Sequence, residues 1–292
     1  VPLAVDATRD WFRARIIGQE SAITAVVDAL VTIKGDVGRG EGPLATLFFA
    51  GPTGVGKTAL ARSLATWCFA DDERLVRFDC SEFSDPIAAT RLIGGPGGSE
   101  GLVTRALRAE PFAVLLFDEI EKADPLVFDF LLQLIGEGRI TDAAGRLADA
   151  RSAVVLFTSN LGAEQAERGP SGFDLGTADR CAVWSDALAE HFRPEFLGRI
   201  DRIIPFAHLD RPTLATLLDR ELSLGGRRSG LAEQRIPLEV DAAARAALLD
   251  AGTDVAMGAR PLRRAVERNL LEPVAAALAP RRTPTTTLAA ED

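Results

Sequence analysis

The segment GPTGVGKT, Gly51 to Thr58, has the residue types and spacing of a phosphate-binding loop. It follows the strand-like run ATLFFA and precedes the helical run ALARSLATWCF, which is the order that such a loop requires. Glycine N–H groups can turn inward around phosphate oxygens, and the helix N-terminus adds its dipole. Lys57 would reach the outer phosphates, and the Thr58 hydroxyl would bind Mg²⁺. We expect ATP or ADP to contact Pro52, Thr53, Gly54, Val55, Gly56, Lys57, Thr58 and Ala59.

Polar residues end two further strand-like runs. AVLLFDEI carries Asp118 and Glu119, and AVVLFTSN ends in Asn160. Parallel strands present their carboxyl ends to a ligand, so Asp118 would hold Mg²⁺ through water and Glu119 would polarise the water that attacks the terminal phosphate. Asn160 would position that water or contact the phosphate. Alone, the two carboxylates could equally be solvated and Asn160 a turn residue, but the phosphate-binding loop favours catalytic roles.

The elements that position these residues indicate an α/β fold. Apolar runs of strand length lie at 45–50, 75–79, 113–118, 153–160 and 202–206, separated by segments long enough for helices. This alternation predicts a parallel sheet covered on both faces.

A helix is predicted at 22–34, and after Pro205 the chain becomes mostly helical, with one predicted strand at 236–240. We therefore predict three regions. A large nucleotide-binding domain spans 1–205, a small helical lid domain spans 206–280, and a flexible tail spans 281–292.

Composition narrows the class of protein. The chain has 292 residues, 47% of them apolar, and no apolar run of about 18 residues, which predicts a folded cytoplasmic protein without a membrane span. A formal charge of −9 disfavours nonspecific nucleic-acid binding, although a local basic groove stays possible. The three cysteines lack CxxC spacing, so we expect reduced thiols rather than disulfides or a zinc site.

Six ordered motifs together resemble the ATPase module of the Clp family of AAA+ unfoldases, particularly the second module of ClpB, ClpC and ClpA. They are IIGQ (16–19), GPTGVGKT (51–58), LLFDEIEKADPLVFDFLLQLIGEGRITDAAGR (115–146), TSN (158–160), FRPEFLGRID (192–201) and GARPLRRAV (258–266). The resemblance implies Mg²⁺-dependent ATP hydrolysis, protein clients and a homo-hexameric ring.

The same resemblance implies four further roles. Ile16 and Ile17 would line the adenine pocket, although such an apolar pair is otherwise ordinary core. Arg199 is similar to the family's arginine finger, which reaches the nucleotide of the neighbouring subunit. Arg260 is similar to the family's second sensor arginine. Phosphoryl transfer needs fixed positive charge at the migrating group, which a guanidinium supplies.

The chain departs from the family pattern at GGPGGSEG, Gly94 to Gly101. Family members carry an aromatic residue, usually tyrosine, in this pore loop to grip a threading polypeptide, whereas this loop is short and the chain has no tyrosine. The loop could be genuinely altered, residues could be missing from the sequence, or another loop such as 136–146 could provide the grip. We favour an altered loop.

Two smaller departures concern the finger and a docking site. Gly198 replaces the asparagine that usually precedes the finger. Ser-Gly-Phe at 171–173 only weakly resembles the tripeptide that docks a ClpP-like peptidase, so that partner is possible but disfavoured.

Two functions are open, a ring motor that unfolds proteins and an ATP-switched assembly or regulatory module without threading. A DNA-acting protein is disfavoured by the acidic balance.

Overall fold

The computed structural model describes residues 3–35, 41–95, 98–162, 184, 186–226, 238–253 and 257–278. The chain divides into two compact units, Val1–Leu209 and Asp210–Asp292. The division between the units follows Leu209, whereas the sequence predicts a domain boundary after residue 205. The predicted tail at 281–292 and the tripeptide at 171–173 lie outside the described residues.

A five-stranded parallel sheet forms the centre of the first unit, with the strand order β2-β3-β6-β1-β7. Its strands are β1 (Ala45–Ala50), β2 (Leu75–Asp79), β3 (Val114–Asp118), β6 (Val154–Ser159) and β7 (Arg202–Pro205). These are the five runs that the sequence predicts, so the parallel α/β fold is confirmed. In register, Ala50 lies opposite Ser159, and Phe117 lies opposite Phe157.

Two apolar layers bury the sheet. Every residue of β1, β3 and β6 is buried, because these central strands have helices on both faces. Successive side chains alternate between the layers, so Phe48 packs in one and Phe49 in the other. This burial fixes the carboxyl ends of three adjacent strands at one edge of the sheet.

Helices and a hairpin complete the first unit. The helices are α1 (Val5–Arg13), α2 (Glu20–Gly35), α3 (Lys57–Phe69), α4 (Pro86–Ile93), α5 (Leu102–Ala109), α6 (Pro125–Glu137) and α7 (Pro194–Leu197). Residues 186–191 are also helical. The antiparallel hairpin pairs β4 (Arg139–Thr141) with β5 (Leu147–Asp149).

Local sequence explains where α6 begins and ends. The Asp124 carboxylate accepts a hydrogen bond from the Leu126 N–H, and Pro125 fills the first helical position. At the other end Gly138 adopts the left-handed conformation, with φ 61°. The same Asp-Pro start occurs in α4, at Asp85 and Pro86.

The glycine-rich loop 94–101 is closed tightly at its base. A Cβ atom added to Gly101 would lie 2.7 Å from the carbonyl carbon of Ile93 and 2.8 Å from the Gly94 nitrogen, so only glycine fits there. Gly94 and Gly98 have φ angles of 94° and 87°, which favour glycine. The glycines therefore permit a compact turn.

The second unit is helical in its described residues. It contains α8 (Arg211–Gly226), α9 (Ala242–Gly252), α10 (Arg260–Val266) and α11 (Glu272–Leu278), with a π-helical turn at Glu267–Leu271. Of the strand predicted at 236–240, residues 238–240 are described and lie in no strand. Across the described parts of both units, no helix is long and apolar enough to cross a membrane.

Candidate functional site

The phosphate-binding loop joins β1 to α3 at the centre of the sheet. Gly54 and Gly56 have φ angles of 75° and 107°, which side chains rarely tolerate. Gly56 occupies the N-cap position of α3, so no capping side chain competes for the first N–H groups of that helix. These groups and the helix dipole are available to an anion.

Lys57 connects the loop to the end of β6. Its side chain is buried, and Nζ donates hydrogen bonds to the carbonyl oxygens of Gly51 and, at 2.8 Å, of Pro52. Nζ also donates to Oδ1 of Asn160 at 2.6 Å. The structure thus brings together two residues that are 103 positions apart in the chain. The ammonium group is held within the loop that would carry the phosphates.

Thr158 aligns the two acidic residues at the end of β3. It is fully buried, and its Oγ1 donates a hydrogen bond to Oδ1 of Asp118. The same oxygen accepts a hydrogen bond of 3.0 Å from the Glu119 N–H. Glu119 adopts the left-handed conformation with φ 55°, which is unusual for a residue other than glycine. This local strain turns the chain directly after Asp118.

Asn160 lies between Lys57 and Glu119. Its Nδ2 donates a hydrogen bond of 3.3 Å to Oε1 of Glu119, while its Oδ1 accepts from Lys57. Its backbone N–H donates to Oε1 of Glu121 at 3.1 Å. The three predicted residues therefore form one connected polar chain at the edge of the sheet. Such a chain can set the position of a carboxylate relative to a phosphate-binding lysine.

Lys122 also binds Glu119. Lys122 lies three residues after Glu119, and its Nζ forms a salt bridge with Oε2 of Glu119. This hydrogen bond raises the pKa of Lys122 above its usual value of 10.5. Because the pKa is raised, the pairing is present at neutral pH and is lost only as the pH rises through the raised value.

Arg77 is a site residue that the sequence reasoning missed. It lies on β2, and its Nε donates to Oδ2 of Asp118 at 2.8 Å, while Nη2 lies 3.2 Å from Oδ2 of Asp79. Both oxygens of Asp118 thus accept a protein donor, one from Arg77 and one from Thr158. This arrangement fits a magnesium ion that Asp118 contacts through water. The adjacency of β2 and β3, which sequence alone does not give, brings Arg77 to Asp118.

Gln19 is a second residue whose role the sequence did not indicate. Its side chain is 1% exposed, and Nε2 donates to the carbonyl oxygens of Val55, at 3.2 Å, and Ala207, at 2.8 Å. Its Oε1 accepts from the Ala207 N–H at 3.0 Å. One bond to the phosphate-binding loop and two to Ala207 connect this loop with the chain that leaves β7.

The remaining predicted contact residues lie in or beside the loop. Pro52 and Val55 are buried, Thr53, Gly54, Gly56 and Thr58 are half-buried, and Ala59 is exposed. Ile16 is buried in the same apolar layer as Val55, and Ile17 is half-buried. Their roles toward adenine stay a prediction.

The two predicted arginines lie in different units. Arg199 follows α7, and its Nη1 donates to the carbonyl oxygen of Leu132 at 3.1 Å. Arg260 begins α10 in the second unit and is exposed. Their roles toward nucleotide stay predictions.

A magnesium ion would require nucleotide oxygens in addition to protein ligands. Within the described ranges, no group of three or more His, Cys, Asp or Glu side chains is placed to hold a metal ion. Thr58 and Asp118 offer one hydroxyl and one carboxylate, the oxygen ligands that Mg²⁺ accepts. This donor set fits an ion that also binds phosphates.

The two described cysteines are free thiols. Burial raises the pKa of Cys68 to about 12 and also raises the pKa of Cys80. Both thiols stay protonated at neutral pH, which makes them poor nucleophiles and poor metal ligands. Cys181 lies outside the described residues.

Comparison with known proteins identifies the family. A family model described as the AAA domain of the Cdc48 subfamily matches residues 42–203, more than half of the chain. A model of the C-terminal D2-small domain of ClpB matches residues 209–287. The chain belongs to the Clp-type AAA+ ATPases. The resemblance drawn from the six motifs is confirmed.

Relatives of this AAA+ module include ClpB chaperones. It is 41% identical over 267 residues to ClpB of Rhodopseudomonas palustris, covering 89% of this chain and 30% of that protein. It is 43% identical over 275 residues to ClpB 2 of Thermosynechococcus vestitus, covering 90% and 30%. A closed-state cryo-EM reconstruction of Hsp104 with ATPγS and FITC-casein matches with a TM-score of 0.80 and 33% identity, covering 94% of this chain and 48% of that one. The AAA+ module spans less than half of these proteins.

Proposed function

We propose that this module hydrolyses ATP within a homo-hexameric ring and uses the energy to remodel or unfold protein substrates. The connected chain Lys57–Asn160–Glu119, beside the Thr158–Asp118 pair, carries the proposal. It joins a phosphate-binding lysine, a polar amide and two carboxylates at one edge of the sheet, which is the set that ATP hydrolysis requires. The relatives named ClpB chaperone, and the Hsp104 reconstruction with casein, support protein substrates.

Each residue has one task in this proposal. The loop N–H groups and Lys57 bind the phosphates, and Glu119 accepts a proton from the attacking water that Asn160 orients. Thr58 and Asp118 would hold Mg²⁺, which supplies charge neutralisation at the phosphates. Ile16 and Ile17 contact the adenine.

Two arginines extend the site beyond one nucleotide-binding domain. Arg199 reaches the nucleotide of a neighbouring copy, and Arg260 acts as the second sensor arginine. A finger supplied by a neighbour requires heterologous contacts that close into a ring. We place the module in the cytoplasm. A ClpP-like peptidase stays a disfavoured partner, and neither nucleic acid nor membrane is a proposed partner.

A second candidate function is an ATP-switched assembly module that does not thread substrate. The glycine-rich loop favours it, because the described residues at 94–95 and 98–101 are glycine, serine and glutamate. The loop is also tied down, since Nη2 of Arg146 donates to the Gly98 carbonyl oxygen at 3.0 Å. A compact loop without an aromatic side chain has little apolar surface with which to grip a polypeptide.

A fluorescent substrate separates the two functions. The chain is mixed with Mg-ATP and a tagged fluorescent protein that loses its signal on unfolding, and assembly is followed by sedimentation in ATP, in ADP and without nucleotide. The motor predicts ATP-dependent loss of fluorescence, whereas the switch predicts ATP-dependent assembly with full fluorescence. The Lys57→Ala variant serves as the control. Assembly and fluorescence that are both indifferent to ATP would contradict both functions.

A further inference from the structure

Gly136 is a helical glycine that backbone conformation does not explain. It lies in the last turn of α6, Pro125–Glu137, and is not among the residues with positive φ. Glycine inside a helix is less favourable than alanine, because it loses more backbone freedom on folding. A reason for glycine at this position must therefore come from what lies against it.

The guanidinium of Arg199 occupies the space where a side chain at Gly136 would be. A Cβ atom added to Gly136 would overlap Nη1 of Arg199 and lie 2.6 Å from its Cζ and 3.3 Å from its Nη2. Nη1 also donates to the carbonyl oxygen of Leu132, one turn earlier in the helix. The guanidinium therefore lies directly against the backbone of α6 at Gly136, where the Leu132 carbonyl oxygen accepts its hydrogen bond.

The backbone around Arg199 is anchored to the same helix. The Phe196 ring of α7 packs edge-on against Phe128 of α6, with ring centroids 5.5 Å apart. Phe196 is 1% exposed, and its carbonyl oxygen accepts a hydrogen bond from the Arg199 N–H at 3.2 Å. Both the main chain and the side chain of Arg199 are thus positioned by α6.

A neighbouring arginine shows what distinguishes Arg199. Arg193 is paired with the Asp129 carboxylate at 3.0 Å, so its charge is neutralised within the chain. Arg199 has no carboxylate within ion-pair distance among the residues that the structure describes, and it is exposed. A guanidinium has five N–H donors, so the bond to Leu132 leaves most of them for a phosphate.

We propose that Gly136 and the Leu132 carbonyl form a platform that preorganises Arg199 for the nucleotide of a neighbouring copy. Gly136 is then a positioning residue that acts through Arg199. A long side chain that is already ordered loses less freedom when it binds a phosphate, which lowers the barrier to hydrolysis. The inference rests on the proposed role of Arg199.

Gly136→Ala tests the platform because stability and activity should change in opposite directions. Alanine favours the helix and should raise the melting temperature by about 2–4 °C. It should also displace the guanidinium and lower kcat for ATP by about 2- to 10-fold with KM unchanged. Gln133→Ala, at an exposed position of the same helix, is the matched control and should leave kcat unchanged.

A double-mutant cycle shows whether Gly136 acts through Arg199. In the Arg199→Ala background, Gly136→Ala should still raise the melting temperature but should no longer lower kcat. If Gly136→Ala lowers kcat equally in both backgrounds, the platform inference is wrong. If Arg199→Ala alone leaves kcat unchanged, the proposed finger role fails instead, so the two failures can be distinguished.

The geometry can be tested without turnover. The arginine Nε–H signals in a ¹⁵N NMR spectrum are assigned for Arg199 by their loss in Arg199→Ala. Gly136→Ala should move the Arg199 signal and speed its hydrogen exchange, whereas Gln133→Ala should do neither. An Arg199 signal that is unchanged in Gly136→Ala would overturn the inference, whatever the activity.

Discussion

At the scale of single residues, Thr158 gives the acidic site its geometry. One buried hydroxyl donates to Asp118 and accepts from the Glu119 N–H, so it fixes a carboxylate and the backbone of the next residue together. Without it, Oδ1 of Asp118 and the Glu119 N–H would each lose this hydrogen bond, and the loss of a partner is costly for a buried polar group. Threonine is therefore required at this position for more than its shape.

Thr158→Val should destabilise the protein and slow ATP hydrolysis. Valine keeps the shape but removes both hydrogen bonds, so the free energy of unfolding should fall by about 1–3 kcal/mol. Misplacement of the carboxylates should lower kcat by up to about 100-fold. Denaturant unfolding and phosphate release measure the two effects. Thr158→Ser keeps the hydroxyl and should retain most activity, and normal turnover in Thr158→Val would show that the alignment is unimportant.

At the scale of elements, the β4–β5 hairpin holds the glycine-rich loop. Asp142 accepts hydrogen bonds from the N–H groups of Ala144 and Arg146 and from the Arg146 side chain. Burial alone would raise the pKa of Asp142, but these hydrogen bonds lower it below 3.8. Because the pKa is lowered, the stabilisation is present above about pH 4 and is lost as the pH falls through the lowered value. From this hairpin, Nη2 of Arg146 donates to the Gly98 carbonyl oxygen.

Arg146→Ala should loosen both the hairpin and the loop. It removes the bonds to the Asp142 carboxylate and to the Gly98 carbonyl oxygen, so amide hydrogen exchange at 98–101 should become roughly tenfold faster. Arg151→Ala is the matched control, because Arg151 pairs with Asp149 on the same hairpin without reaching the loop. Equal exchange at 98–101 in the two variants would contradict the tie between hairpin and loop.

At the scale of the whole molecule, the sequence predicted the sheet well and the long-range contacts poorly. The five strands were readable because buried parallel strands are nearly continuous apolar runs with polar residues at their carboxyl ends. Lys57, Asp118, Glu119 and Asn160 were readable because each ends such a strand, directly follows one or opens the next helix. Neither pattern requires knowledge of which strands are neighbours.

Residues that act through distant partners were not predictable in this way. Gln19 binds Ala207 across 188 positions, and Arg77 binds Asp118 only because β2 lies beside β3. Gly136 looks like a weak point in a helix until the Arg199 side chain is placed on it. The described part of the strand predicted at 236–240, residues 238–240, forms no strand. The periodicity of apolar residues indicates which side chains are buried, and it does not indicate which residues they contact.

ATP turnover by Glu119→Gln tests the central claim most directly. Glutamine keeps the size of the side chain but cannot accept a proton from water, so phosphate release should fall by at least about 100-fold. ATP binding should persist, because Lys57 and the loop that bind the phosphates are unchanged. The measurement is phosphate release with Mg-ATP, together with the ATP-induced rise in melting temperature. We predict lost turnover with a retained thermal shift, and undiminished turnover would contradict the assignment of this site.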